Sequence, residues 1–468
     1  MDVGRRSMQN SQTGLRTVAH NIANRSTEGY SRQRVDLQHN PPVGDQGKRI
    51  GTGARVANIE SIRNDYLEKQ IEGETQKLGF QSSSADGMMR VEQIYNEQAN
   101  KGLNRFVAEF FNSFRELTNN PESVAVRTLV KETASALTED FQRIHNQLRD
   151  IQKDLDFQIK TEVSEINAMT SEIAGLNQKI SSIEVTGAPA NDERDRRNLL
   201  LKNLGEKINI KYAENDEGIV TVLAGSTAVL VSGYEAMKLG VQDAHGKDGE
   251  RPGRAELYFH PGEHLPAVKI TKQITNGKLG GALEVRDKVV ENLLAKNDEL
   301  AFTIANEVNK VHIEGVDRYS KPGILFFDLL PDQKDAAAVI KLNDTVQNDV
   351  GRIAAGYQEG GPGDNRVAHK IAAIQFEGVL NNKSANIDDF YNAMVGEVAV
   401  ITKQTNMRKD HHTNIVKQLG NIRESISGVS LDEETTKMIE MQKAFDASAR
   451  VIRTADELFD TVLNLKRY

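Results

Sequence analysis

The chain has 468 residues, 59 Lys and Arg against 67 Asp and Glu, a net charge of −8, and neither cysteine nor tryptophan. This length implies two to four domains, and the mild charge balance gives no basic footprint for nucleic acid. The lack of cysteine removes disulfides, Cys-ligated zinc or iron–sulfur sites and thiol catalysis; no run approaches the roughly 18 apolar residues of a membrane span, so no membrane insertion is expected.

The start, MDVGRRSMQNSQTG, has no apolar stretch after its basic residues and so no evident signal peptide. A first helix is expected over about residues 2–24, with Met8, Ser11, Leu15, Val18 and Ile22 at alternating steps of three and four. This seam is too thin to fold alone and needs a partner. The helix stops in HNIANRSTEGYSRQRV, where Asn24, Ser26, Thr27 and Gly29 supply turn chemistry and Gly29 can take positive φ. Helical signal then dominates from about 60 to 185. Its clearest part is the rod carrying Leu148, Ile151, Leu155, Ile159, Val163, Ile166 and onward to Ile183.

From about 205 the period changes to short β-branched runs, KINIKY, GIVTVL, AVLVSG, AELYF and VKITKQI, with turns between them, which predicts a small all-β module inserted in a helical chain. A helix is expected over about 282–313, and loops over 314–366. The last eighty residues hold two regular helices. One carries Met394, Val398, Ile401, Thr405, Arg408, His412, Ile415, Leu419, Ile422 and Ile426. After SGVSLDEE the other carries Met438, Met441, Phe445, Ser448, Ile452, Ala455, Phe459 and Val462. The fold class is therefore mainly α with an inserted all-β module, discontinuous nested domains, and a long coiled-coil-like rod made from amino- and carboxy-terminal segments. The two end helices are expected to pair with each other and with copies from neighbouring subunits.

Signs of chemistry are few. His260, Glu263 and His264 in HPGEH have a metal-like spacing, but Pro261 and Gly262 deny the helix on which metalloprotease pairs sit, so solvated loop histidines are the favoured reading. EGGPGDN lacks the lysine of a phosphate loop. No catalytic, cofactor or metal residues are assigned.

NIAN followed by Thr27, Gly29 and Tyr30 resembles the amino-terminal signature of bacterial flagellar axial proteins, and GYSRQRV resembles the version found in the flagellar hook-associated protein 1 family. NDERDRRNLLLKNLGEKINI, KLGGALEVRD, VNKVHIEGVD and SGVSLDEETTKMIEMQKAFDASARVIRTADELFDTVLNL are similar to the family's later blocks, in order. Glu193 and Arg194 stand where the family usually has a glutamine and an arginine after its aspartate. The first helix begins almost at Met1, whereas members usually carry some residues before it.

The resemblance implies a non-enzymatic structural subunit of the junction between hook and filament, polymerising helically through its terminal helices. The runner-up readings are a hook, distal rod or second junction protein, and, further off, a metal-dependent hydrolase on the β insert. The implied domains are 1–45 with 430–468, a terminal helical inner domain disordered in the monomer and coiled on assembly; 46–204 with 282–429, a helical middle domain; and 205–281, a β-rich outer domain. The assembly interface is expected at Leu15, Val18, Asn21, Ile22, Asn24, Thr27, Gly29, Tyr30, Ser31, Arg32, Gln33, Met438, Met441, Phe445, Ile452, Ala455, Phe459 and Val462. The expected partners are copies of the chain, hook protein on one side, the second junction protein on the other, and an export chaperone on the last helix. Its place would be the extracellular flagellum, reached by type III export without a cleaved signal peptide.

Overall fold

The computed structural model describes residues 1–45, 48–95, 102–244, 251–262, 265–361, 363–381 and 383–465. Helix α1, Asp2–Ala23, opens the chain and is capped by Asn24, whose backbone N–H returns to His20 and Ile22. A β ribbon then comes before the helical middle. Strands β1 (Gln33–His39) and β4 (Ala54–Ser61) form an antiparallel ribbon with a bulge at Asp36/Leu37, and β2 (Val43–Asp45) and β3 (Lys48–Ile50) form its tip. The ribbon lies on α1, with the Asn10 amide donating to Ala54 O (2.9 Å) and Arg6 to Thr52 O (3.3 Å). A two-stranded ribbon is marginal in water without such support. A boundary at 45/46 therefore falls inside this ribbon. The helix expected from about 60 begins at residue 65, because the last residues of β4 pair with β1 instead.

Helix α2, Asp65–Ile94, starts on Asn64, whose side chain accepts from Leu67 N, with Asp65 and Glu68 in the first turn facing the helix dipole. Helices α3 (Leu103–Asn119) and α4 (Val124–Glu184) come next; α4 is 61 residues long, with a buried stripe from Val130 through Ile180 at steps of three and four. Helix α5 is Asn191–Lys207. Phe110, Phe111 and Phe114 of α3 stack edge to face and meet Phe326 and Phe327 at one end of the core.

The β module has two antiparallel sheets. Strands β5 (Ile210–Glu214), β6 (Val220–Ala224), β7 (Ala228–Ser232) and β8 (Glu235–Ala236) form the first, in that order. Strands β9 (Lys238–Asp243), β10 (Ala255–His260) and β11 (Val268–Lys269) form the second, with β10 central. Two asparagines of α4 fasten these sheets to the rod by imitating a strand. Asn177 donates to Val220 O and Gly233 O and accepts from Val220 N, and Asn167 exchanges both bonds with the Leu239 backbone.

The next helix runs earlier than expected. Helix α6, Gly277–Glu284, passes through a π turn at Val285–Val290 into α7, Glu291–Ile313. Burial of Arg286 accounts for the wide turn: its guanidinium bonds Asp156, Asp287 and Ala255 O, while Gln152 donates to the Arg286 carbonyl. Residues 314–366 are loops, as expected, holding the short helices α8 (Ala336–Val339) and α9 (Asp344–Asn348). Helix α10 (Arg366–Ala373) precedes α11 (Ile387–Ser427) and α12 (Leu431–Leu465). Helix α11 lies antiparallel to α2, tied by Lys409 to Asp86, His412 to Glu74 and Arg423 to Glu68. Of the expected seam, Ile422 and Ile426 stand exposed. The architecture is mainly helical with an inserted all-β module.

Candidate assembly joint and interface

Helices α1 and α12 lie antiparallel in one register: Gly4 is against Ile452, the Ser448 hydroxyl donates to Ser7 Oγ (2.7 Å), Gly14 is against Met441, and Asn21 meets Glu434. The seam of α1 keeps Ser11 and Val18 of the set that spacing predicts and differs in the rest. Gly4, Ser11, Gly14, Val18 and Asn21 are buried, while Met8, Leu15 and Ile22 are half-buried at its sides. Small residues win because the axes are close: a Cβ on Gly14 would lie 2.8 Å from Met441 Sδ. On α12 the expected positions Met438, Met441, Phe445, Ile452 and Ala455 are half-buried along the same stripe. Farther along α12, Phe459 and Val462 are each 64% exposed, next to exposed Leu458 and Leu463.

At the other end of the pair sits a compact polar joint. Asn21 is 1% exposed and makes four bonds: its amide donates to Gln33 O (2.9 Å) and Glu434 Oε2 (2.8 Å), and its Oδ1 accepts from Tyr30 Oη (2.7 Å) and Gln33 N (3.0 Å). Glu434, also 1% exposed, accepts from Arg32 Nε (2.8 Å), and Arg32 reaches Glu433 as well (2.8 Å). Ser31 N donates to Asp195 (2.8 Å), and Gln33 Nε2 to Asp192 (2.8 Å), fixing the linker to the start of α5. Arg32 N donates to Ser427 O and Ile62 N to Arg32 O, so the linker also joins the end of α11 to the start of α2. Gly29 has φ +82°, and a Cβ there would sit 3.0 Å from Leu199 Cβ. Thr27 donates to Asn24 Oδ1 (3.2 Å).

Electrostatics follow from this burial. Desolvation, helped by Asp192, Asp195 and Glu434, raises the Tyr30 phenol well above its ordinary range, so it stays a donor to Asn21. Burial pushes Asp195 up to about 6, against a smaller lowering by its bond from Ser31 N. Glu72, nearby on α2 and accepting from Tyr212 Oη, is pushed up to about 7, again mainly by burial.

The motif assigns Tyr30, Arg32 and Gln33 to contacts with neighbouring subunits; in the folded chain all three bond within it. Sequence reasoning does not single out Asp192, Asp195, Arg423, Ser427, Glu433 or Glu434 as joint residues. The acidic first turn of α12 reads locally as a complement to the helix dipole. Nothing nearby in the sequence shows that Glu434 faces inward toward an asparagine 413 residues away.

Metal chemistry has little footing. His260 ends β10, while Glu263 and His264 lie outside the described residues. His145, Asp298 and Asp335 come within 4.8 Å of one another, but Asp298 accepts from Asp335 N and Ala337 N. Arg149 already bonds both His145 Nε2 (3.4 Å) and Asp335 (2.8 Å), placing a cation there. No helix among the described residues is long and apolar enough to cross a membrane.

Comparisons with known proteins agree with this architecture. Residues 88–327 match the family described as flagellar hook-associated protein FlgK helical domain, and residues 423–465 match flagellar basal body rod FlgEFG protein C-terminal. The chain is 28% identical to flagellar hook-associated protein 1 of Bacillus subtilis, over 99% of this chain and 97% of that one. It is 24% identical to the protein of that name from Salmonella typhimurium, over 97% of each. The solved flagellar hook junction protein FlgK from Burkholderia pseudomallei superposes with a TM-score of 0.69 at 13% identity, covering 76% of this chain and all of that one. At that identity the superposition speaks for the fold.

Proposed function

The chain belongs to the FlgK family of flagellar hook-associated proteins, and from that premise we propose that it is a structural subunit of the junction between hook and filament. The observation that carries the reading is the α1–α12 pair. It is closed on one side by small residues and leaves Phe459 and Val462 on a stripe that no described residue covers. Exposed apolar surface of this kind marks a contact made in the assembled state. The polar joint then has a positioning role: Asn21, Tyr30, Arg32 and Gln33 set the direction in which the helix pair leaves the middle domain, and the open faces of α1 and α12 meet neighbouring copies, hook protein and the second junction protein.

In this reading the protein performs no catalysis and works outside the cell, exported without a cleaved signal peptide. An export chaperone covers the apolar stripe of α12 before assembly. Nothing in the described geometry favours a hydrolase on the β module. The test is electron microscopy of the source bacterium lacking this gene. Bare hooks with filament protein shed into the medium are expected; absent hooks would move the subunit earlier along the axis, and normal flagella would refute the reading.

A further inference from the structure

Beside the joint is a cleft of about 420 Å³, walled by linker residues 25–31, the start of α2, α5 and the end of α11. Besides Arg423, four cations line it: Arg25 from the linker, Arg63 ahead of α2, Lys202 from α5 and Lys417 from α11. Among the described residues none of these side chains has an ion pair or hydrogen bond. The carboxylates of the cleft are otherwise engaged. Glu68 and Glu424 bond Arg423, Glu72 accepts from Tyr212, and Asp195 accepts from Ser31 N; Glu28 stands exposed at the rim. Arg63 lies close enough to Asp195 and Glu72 to favour their charged forms. Burial works the other way and raises both acids. Arg25, Lys202 and Lys417 thus line the cleft without a carboxylate bonded to them among the described residues.

We infer that this cleft is a docking site for a carboxylate-bearing turn of an adjoining copy of the chain. The inference rests on the proposed stacking of copies, and it names a contact which that reading does not contain. Charge complementarity selects the occupant. The chain is acidic overall, at −8, and the turn between β5 and β6 presents Asp216 and Glu217 exposed on a short loop. That loop is held rigid by Asn215, whose Oδ1 accepts from Glu217 N and Ile219 N. A preformed acidic turn loses little entropy on docking.

The test is the full chain carrying Lys202→Glu and Lys417→Glu, returned to the deletion strain. Secreted amount and monomer melting are expected to match the parent, because neither lysine has a partner among the described residues. Loss of two charge pairs should raise filament shedding about tenfold. Adding Asp216→Lys and Glu217→Lys should bring shedding back toward the parent value. The milder pair Lys202→Met and Lys417→Met, which introduces no repulsion, should shed to an intermediate degree and so serves if the reversal disturbs folding. Parental shedding in both lysine pairs would overturn the site, and a rise that the swapped turn does not reverse would overturn the second copy as occupant. Normal filaments in the deletion strain itself would instead overturn the junction reading, which separates the two failures.

Discussion

Asn21→Asp is the sharpest probe of the joint, because it changes one NH2 for one oxygen without changing shape. The two bonds accepted by Oδ1, from Tyr30 and Gln33 N, survive. The NH2 that pointed at Glu434 Oε2, 2.8 Å away, and at Gln33 O, 2.9 Å away, becomes a second carboxylate oxygen, so one of these two bonds is lost at any pH, a constant cost beside the pH-dependent one. Two unit charges at that distance repel by about 6 kcal/mol at an effective dielectric constant near 20. The pair therefore takes up a proton, and holding neutral at pH 7 a carboxyl whose ordinary value is near 4 costs about 4 kcal/mol. The cost shrinks by about 1.4 kcal/mol for each pH unit lowered, to about 1–2 kcal/mol at pH 5. Native-state hydrogen exchange on the monomer reads this directly. Amides of α1 and the first turns of α12 should lose about that much protection, or all they have if the pairing holds less, while those of α3 and α4 keep theirs. A loss of the same size at pH 5 and pH 7 would refute the electrostatic reasoning. Unprotected α1 amides in the parent monomer would show that the joint closes only in the assembly.

Three further outcomes are expected. Asp195 has its folded value raised to about 6 from 3.8, so its contribution to stability is fully present below about pH 4 and is lost as the pH rises through 6, a change of about 3 kcal/mol. Asp195→Asn keeps an acceptor for Ser31 N and should flatten that part of a urea-denaturation profile taken from pH 4 to 8; an unaltered profile would rule out Asp195 as its source. Gly14→Leu has to displace Met441, at about 1–3 kcal/mol for overpacking, and should release α1 from α12 in hydrogen exchange, with Met441→Ala restoring part of the protection. Asp156→Ala leaves buried Arg286 without one of its two carboxylates and Arg251 without its partner, and should lower the stability of the β module and α4 by about 3–5 kcal/mol in calorimetry, with the α1–α12 pair unaffected.

Periodicity alone determined much of this protein. The long stripe of α4, the switch to period two near residue 205 and the stop at Asn24 are local consequences of side-chain spacing and turn chemistry, and the folded chain obeys them. The motif around NIAN and GYSRQ is equally plain, and it points to the stretch where the joint lies. The tertiary structure decided which face of each end helix is used and which bonds the motif's side chains make. Leu15 and Ile22 look like the seam because they are apolar, yet Gly4 and Gly14 join Ser11 and Val18 in it, since two helices approach closely only where side chains are small. The motif picks out Asn21 but not what it bonds; its four bonds come from partners at 30, 33 and 434, and no spacing rule connects those positions. The ribbon at 33–61 is hidden for the same reason, because its stability comes from α1 beneath it and not from its own sequence. Local propensity fixes where elements begin and end, whereas pairing between distant segments depends on burial and register that only the assembled tertiary structure specifies.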